Sequence, residues 1–194
     1  MIDDDVNYLK GVAFLGMLES FRRLRGAAVV DGAVATLRPE LADLLRRGLL
    51  TKSGWYPVTW YRELLAALQQ AASGGVEVLR ETSRAAVQFD LQHGIYRVVT
   101  KLLSPEWLMR VTPQVFKSYY RHGSCTVSVA KGGGHAGSVS LAGCPGFDAA
   151  MWEDLLGGCL GILDAAGAKN ARVGGRRGGR AGDDAMVVDL VWDE

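Results

Sequence analysis

Three observations predict an α+β fold in which a helical layer packs on a four-stranded antiparallel sheet. Residues Cys125–Ala130 alternate apolar and polar, and Ser138–Leu141 do the same after a glycine-rich run, which is the period of a half-buried hairpin. A second hairpin is expected from Ala171–Val173 and Met186–Trp192. The stretch 39–122 and the segment 147–166 instead carry apolar residues at helical spacing. Helices, hairpin, helix, hairpin is the order of an α+β domain, not of alternating β-α-β units. The chain has 194 residues, 48% of them apolar, enough for one sizeable core. We read it as a single domain: an irregular or strand-like start (1–38), the helical layer (39–122) and a hairpin–helix–hairpin unit (123–194).

Residues 8–21 mix strand and helix signals, with Leu9, Val12 and Phe14 favouring a strand. Residues 26–38 read as irregular or as a short strand pair. Pro39 opens a helix: proline suits the first turn, Glu40 follows, and Arg46 and Arg47 sit near the end, all in line with the helix dipole. Gly48 marks its close. Residues 55–72 predict a second helix with Tyr61, Leu64, Leu65, Leu68 and Ala72 on one face, broken by Ser73–Gly75. A third helix is expected over 76–92, and a further helical turn or two over Tyr96–Leu103. Ser104–Pro105–Glu106 is a helix start, with a capping hydroxyl, proline and a carboxylate in the first turn. Pro113 is expected to kink that helix, or Thr112 to cap a second one. Leu108, Val111, Val115 and Tyr119 mark its expected buried stripe. In the last helix Met151, Leu155, Cys159, Ile162 and Ala166 share a face, and Gly167 ends it. Gly157, Gly158 and Gly161 inside that helix each cost about 1 kcal/mol against alanine, so a backbone, ring or ligand is expected to approach there closely.

Twenty-two basic and 21 acidic residues leave a net charge of +1, without the general basic field of a nucleic-acid binder. Three cysteines, Cys125, Cys144 and Cys159, suit a reduced cytoplasmic compartment better than a disulfide framework. The start, MIDDDVNYLKG, carries no secretory signal. Met151–Ala166 contains Glu153, Asp154 and Asp164, too many charges for a membrane span.

The segments YLKGVAF, WYPVTWYRELLAAL, LLSPEWLMRVTPQVFKSYYRHG, VSLAGCP, GCLGILDAAGAKNARV and VDLVW resemble a family of uncharacterised paralogous proteins from myxobacteria. That family is remotely similar to the superfamily of vinyl-reductase-like ligand sensors, haem-based nitric oxide sensors and the subunits of TRAPP vesicle-tethering complexes. The resemblance implies a helical layer on an antiparallel sheet, with a closed pocket between them for an apolar ligand. It implies a binding or signalling module more than an enzyme.

The residues themselves carry few chemical motifs. Gly132, Gly134 and Gly137 satisfy GxGxxG, but a strand follows where dinucleotide binding needs a helix, so a hairpin turn is the better reading. His122, Cys125, His135, Cys144 and Cys159 lack zinc-site spacing, and cysteines on apolar stripes act as small hydrophobes. A Cys125 nucleophile paired with His122 or His135 lacks an orienting group. A haem would need an axial ligand, for which His93 or His122 could serve. The Tyr-x-Ser-x-Arg motif of the haem sensors is unmatched by Tyr119–Ser124, and the cysteine cluster near the C-terminal strands of the related metal-bound sensors is also missing. Arg176, Arg177 and Arg180, in the glycine-rich run Gly174–Asp184, suit either an anion contact or a solvated hairpin tip. Trp55, Tyr56, Trp60, Tyr61, Trp107, Phe116, Tyr119 and Tyr120 suit a pocket, a dimer interface or plain core packing.

The expected function is therefore a non-enzymatic small-ligand sensor or signalling adaptor, with neither cofactor nor metal, acting as a homodimer or on a protein partner. Trp60, Trp107, Tyr119, Met151 and Leu155 are the expected pocket wall for a small apolar ligand. The alternatives are a ligand-free scaffold like the tethering-complex subunits, and a haem- or metal-binding sensor.

Overall fold

The computed structural model describes residues 7–93, 104–130 and 134–193. It confirms the α+β architecture. Strand β1 (Tyr8–Lys10) leads into helices α1 (Gly11–Arg25), α2 (Ala27–Ala35) and α3 (Pro39–Arg46). Strand β2 (Trp55–Pro57) pairs antiparallel with β1 and leads into α4 (Val58–Ala71), α5 (Glu77–His93) and α6 (Pro105–Tyr119). The hairpin β3 (Ser124–Val129) and β4 (Ala136–Ala142), helix α7 (Ala149–Ala165), and the hairpin β5 (Lys169–Gly178) and β6 (Met186–Asp193) complete the chain. The second sheet has the order β3-β4-β6-β5, antiparallel throughout. Its two hairpins thus join side by side through β4 and β6, with Val139 opposite Val188.

The first forty residues differ from expectation. Only Tyr8–Lys10 is strand, and Val12 and Phe14 belong to α1, where Phe14, Met17, Leu18 and Phe21 form one buried helical face. Residues 27–35 are helix, not irregular chain or a strand pair. Their valines are strand-prone, yet Val30, Ala33 and Val34 fall at helical spacing and are buried. Gly26, at φ 93°, permits the sharp turn between α1 and α2. Residues 55–57 leave the predicted second helix to form β2, and the expected face Tyr61, Leu64, Leu65 and Leu68 is buried behind it.

Helix α6 starts as expected: the Trp107 N–H donates to Ser104 Oγ at 3.3 Å. It runs past Pro113 as one helix, so Thr112 caps no second one; its hydroxyl donates to Leu108 O at 3.4 Å. The buried face is Leu108, Met109 and Phe116, whereas Val115 is 42% exposed. The sheet and α7 flank a side of α6 one position round from the expected stripe. The expected turn Tyr96–Leu103 lies outside the described residues.

The α7 glycines meet a helix backbone. A Cβ on Gly157 would lie 2.3 Å from Arg80 O, and one on Gly161 2.5 Å from Arg84 O, both carbonyls of α5. Among the described residues no helix is long and apolar enough to cross a membrane.

Candidate ligand site

The interior between roof and sheet is aromatic because α1, α4, α6 and α7 all turn rings toward it. Phe116 and Tyr120 stack at 4.7 Å, Tyr120 meets Phe147 at 5.3 Å, and Phe147 meets Trp152 at 4.8 Å. A second group runs from Tyr61 to Phe14 at 4.9 Å and on to Tyr56 at 5.7 Å. Both groups lie at or against one continuous hydrophobic cluster.

Of the expected pocket wall, Met151 is fully buried in this cluster, and Trp60, Tyr119 and Leu155 pack against it half-buried. Trp60 also stacks on Tyr56, with Arg38 over its ring at 5.9 Å. Trp107 stands apart, 47% exposed on the first turn of α6.

Two of the three arginines lie outside the hairpin tip, whereas Arg180 stays in the exposed turn between β5 and β6. β5 extends through Gly178, with register irregularities between Lys169 and Arg172 and, at Gly174, between Val173 and Gly175, so Arg176 and Arg177 are strand residues. Arg176 bonds Glu153 and the carbonyls of Gly178 and Gly179. Arg177 pairs with Asp189 at 3.4 Å. The Arg180 backbone N–H donates to Asp183 at 2.9 Å.

A polar seam joins α4, α5 and α7 beside the rings. Glu153, buried, sits between Arg176 and Arg80, whose Nη1 lies 3.1 Å from Oε2 in an off-line ion pair. Tyr61 donates its phenol to Asp154 at 3.0 Å, and Ser83 also bonds that carboxyl. Burial outweighs both bonds and raises the Asp154 carboxyl to about 6. Burial, then Asp154, pushes the Tyr61 phenol well above its usual value. Arg84 grips Asp164 with two bonds of 2.5 and 2.7 Å. The sequence reading used Glu153, Asp154 and Asp164 only against a membrane span. Their signal was acid on an otherwise apolar helix, which demands partners once that helix is buried.

Metal or haem ligation finds little support among these groups. Burial raises the Cys125 thiol to about 11 and those of Cys144 and Cys159 to about 12, so none is a thiolate at neutral pH. Among the described residues no cluster of histidine, cysteine and acid could hold a metal ion. His122 is fixed through its backbone N–H, which donates to Asn7 Oδ1 at 3.4 Å. His135 lies against Trp192 at 6.3 Å, in a cavity of about 200 Å³ that also touches Glu106 and Asp193. Neither imidazole is among the buried groups of the ring-filled core. The His93 side chain lies outside the described residues. Among the described residues, neither His122 nor His135 is thus placed in the ring-filled core where an axial haem ligand would stand.

No family model matches the chain, and no curated protein matches it. Solved structures do. A variant of the Fe(II) unliganded H-NOX protein from K. algicida superposes with a TM-score of 0.70 at 15% identity, over 96% of this chain and 97% of that one. The unsubstituted K. algicida protein gives 0.69, also at 15% identity and over the same shares. An oxygen-binding H-NOX domain related to soluble guanylate cyclases gives 0.67 at 13% identity, over 96% of both chains. The chain shares their fold from end to end. The remote similarity to haem-based nitric oxide sensors is supported; the myxobacterial family is not.

Proposed function

We propose that this chain is a non-enzymatic small-ligand sensor module on the H-NOX fold, which passes its signal by contact with a second copy or another protein. The observation that carries this reading is the superposition of 96% of this chain on H-NOX domains, over 96–97% of those chains. Of the pocket wall expected from the sequence, Trp60, Trp107, Tyr119, Met151 and Leu155, all but the exposed Trp107 belong to or abut one apolar core cluster, the kind of surroundings an apolar ligand needs.

The fold likeness favours a second reading, haem as the ligand, over a ligand-free scaffold, since those neighbours are Fe(II) and oxygen-binding proteins. In this chain that reading needs an axial ligand, for which the sequence offers His93 or His122. Addition of haemin to purified protein, followed by absorption spectroscopy and native mass spectrometry, separates the two readings. The apolar-ligand reading expects no Soret band and a small apolar molecule extracted from the folded protein. A Soret band that is lost in His93→Ala or in His122→Ala would establish haem instead. Protein that takes up neither haem nor apolar molecules is a scaffold.

A further inference from the structure

We infer that the β1–β2 ribbon is a docking surface for an acidic segment of a partner protein, received by Lys10 and Arg121 around Trp55. The inference deepens the contact output proposed above and does not depend on which ligand the interior takes.

Trp55 sits half-buried on β2, directly opposite Lys10 in the strand register. Lys10 Nζ lies over its ring at 5.3 Å, and the Arg121 guanidinium lies over the same ring at 4.9 Å. Arg121 is exposed, and its position is fixed by backbone: its N–H donates to Tyr8 O at 3.1 Å, next to the bridge between Leu9 and Tyr120. Two cations are thus anchored on one aromatic ring by the two strands and the end of α6.

Other cations at aromatic or helical positions nearby are already neutralised. Arg38, over Trp60, is bound to Glu63 at 2.5 Å, and Arg62 to Asp148 at 2.9 Å. Neither Lys10 nor Arg121 has a carboxylate partner among the described residues. Like charges held close repel, and an incoming carboxylate removes that repulsion while making charge-assisted bonds. Tryptophan and arginine are also the residue types that most often dominate interface energies.

The chain's net charge of +1 decides the kind of partner. A duplex or an anionic bilayer gains its affinity from many cations spread along an extended surface. Two cations and one ring match a short acidic stretch of protein.

The test is fluorescence anisotropy of a labelled hexaglutamate peptide against the full chain, with phosphatidylserine vesicles and a single-stranded oligonucleotide run in parallel. The peptide should bind, and more weakly as salt is added. The Lys10→Gln/Arg121→Gln double variant should bind it about ten-fold more weakly or worse. Arg38→Gln should stay within about two-fold of the parent, since that charge is spent on Glu63. Unchanged melting curves confirm that the variants fold. Absence of peptide binding, or equal binding by the double variant, overturns the inference. So does tighter binding of vesicles or oligonucleotide that the same variant abolishes, which reassigns the surface to lipid or nucleic acid. Ligand uptake by the interior, measured separately, should be unchanged in the double variant, so failure here is distinguishable from failure of the sensor reading.

Discussion

Gly157→Ala is predicted to destabilise the protein, and Gly158→Ala, one position along the same helix, to stabilise it. At Gly157 an added methyl would stand 2.3 Å from Arg80 O, 2.8 Å from Ser83 Cβ and 3.0 Å from Arg80 C. An ordinary contact is about 3.5 Å, so α7 and α5 must part by roughly 1 Å along their tightest seam. Overpacking of this kind costs about 1–3 kcal/mol, and here backbone rather than a flexible side chain must yield, which favours the upper end. The gain in helix propensity returns about 1 kcal/mol. The net expectation is a loss of about 2 kcal/mol, or roughly 4–8 °C in Tm for a chain of this size. At Gly158 the nearest atoms are Ser83 Oγ at 3.8 Å and Val87 Cγ2 at 3.9 Å, so only the propensity gain of about 1 kcal/mol remains. Urea unfolding followed by circular dichroism reads both variants. Shifts of the same sign would refute the argument that a helix–helix contact, and not helix propensity, explains the glycines of α7.

Two further perturbations follow from the buried groups. The Asp154 carboxyl is raised from 3.8 to about 6, so the folded state holds its proton more tightly than the unfolded chain. That favours folding below about pH 4, and the benefit is lost as pH rises through about 6. Asp154→Asn should therefore remove a falling limb of stability between these values and add up to about 3 kcal/mol at pH 7, read by thermal melts across pH. A parent protein with flat stability over that range would contradict the burial of this acid. The three cysteine thiols should resist a disulfide reagent at pH 8 in the native state and all react in urea, since burial raises each to about 11 or 12. Rapid native labelling of any one of them would refute its placement.

The hairpins were legible because period two has few competing explanations: Cys125, Val139, Leu141, Val188 and Leu190 are all buried. The start of α6 was legible because Ser104 and Pro105 act locally. The glycines of α7 announced a close approach, but the sequence could not say that α5 was the neighbour. Residues 27–35 were misread because two adjacent valines outweighed a spacing that only α4 makes meaningful. The buried face of α6 was misjudged for the same kind of reason: Val115 and Phe116 are equally apolar, and tertiary placement alone chooses between them. Arg176 looked like part of a free tip because Glu153, its partner, is 23 residues away. The ring cluster was visible as composition, while its division into wall and filling depends on contacts across four helices.

Glu153 is held from two directions, by Arg80 in the helical layer and by Arg176 in the sheet. The carboxylate is bonded by Arg176 at one oxygen and paired off-line with Arg80 at the other, which ties α7 to both layers. Any rearrangement that shifts the roof over the sheet must carry this helix along or release one guanidinium, so the two layers are geared together through a single side chain.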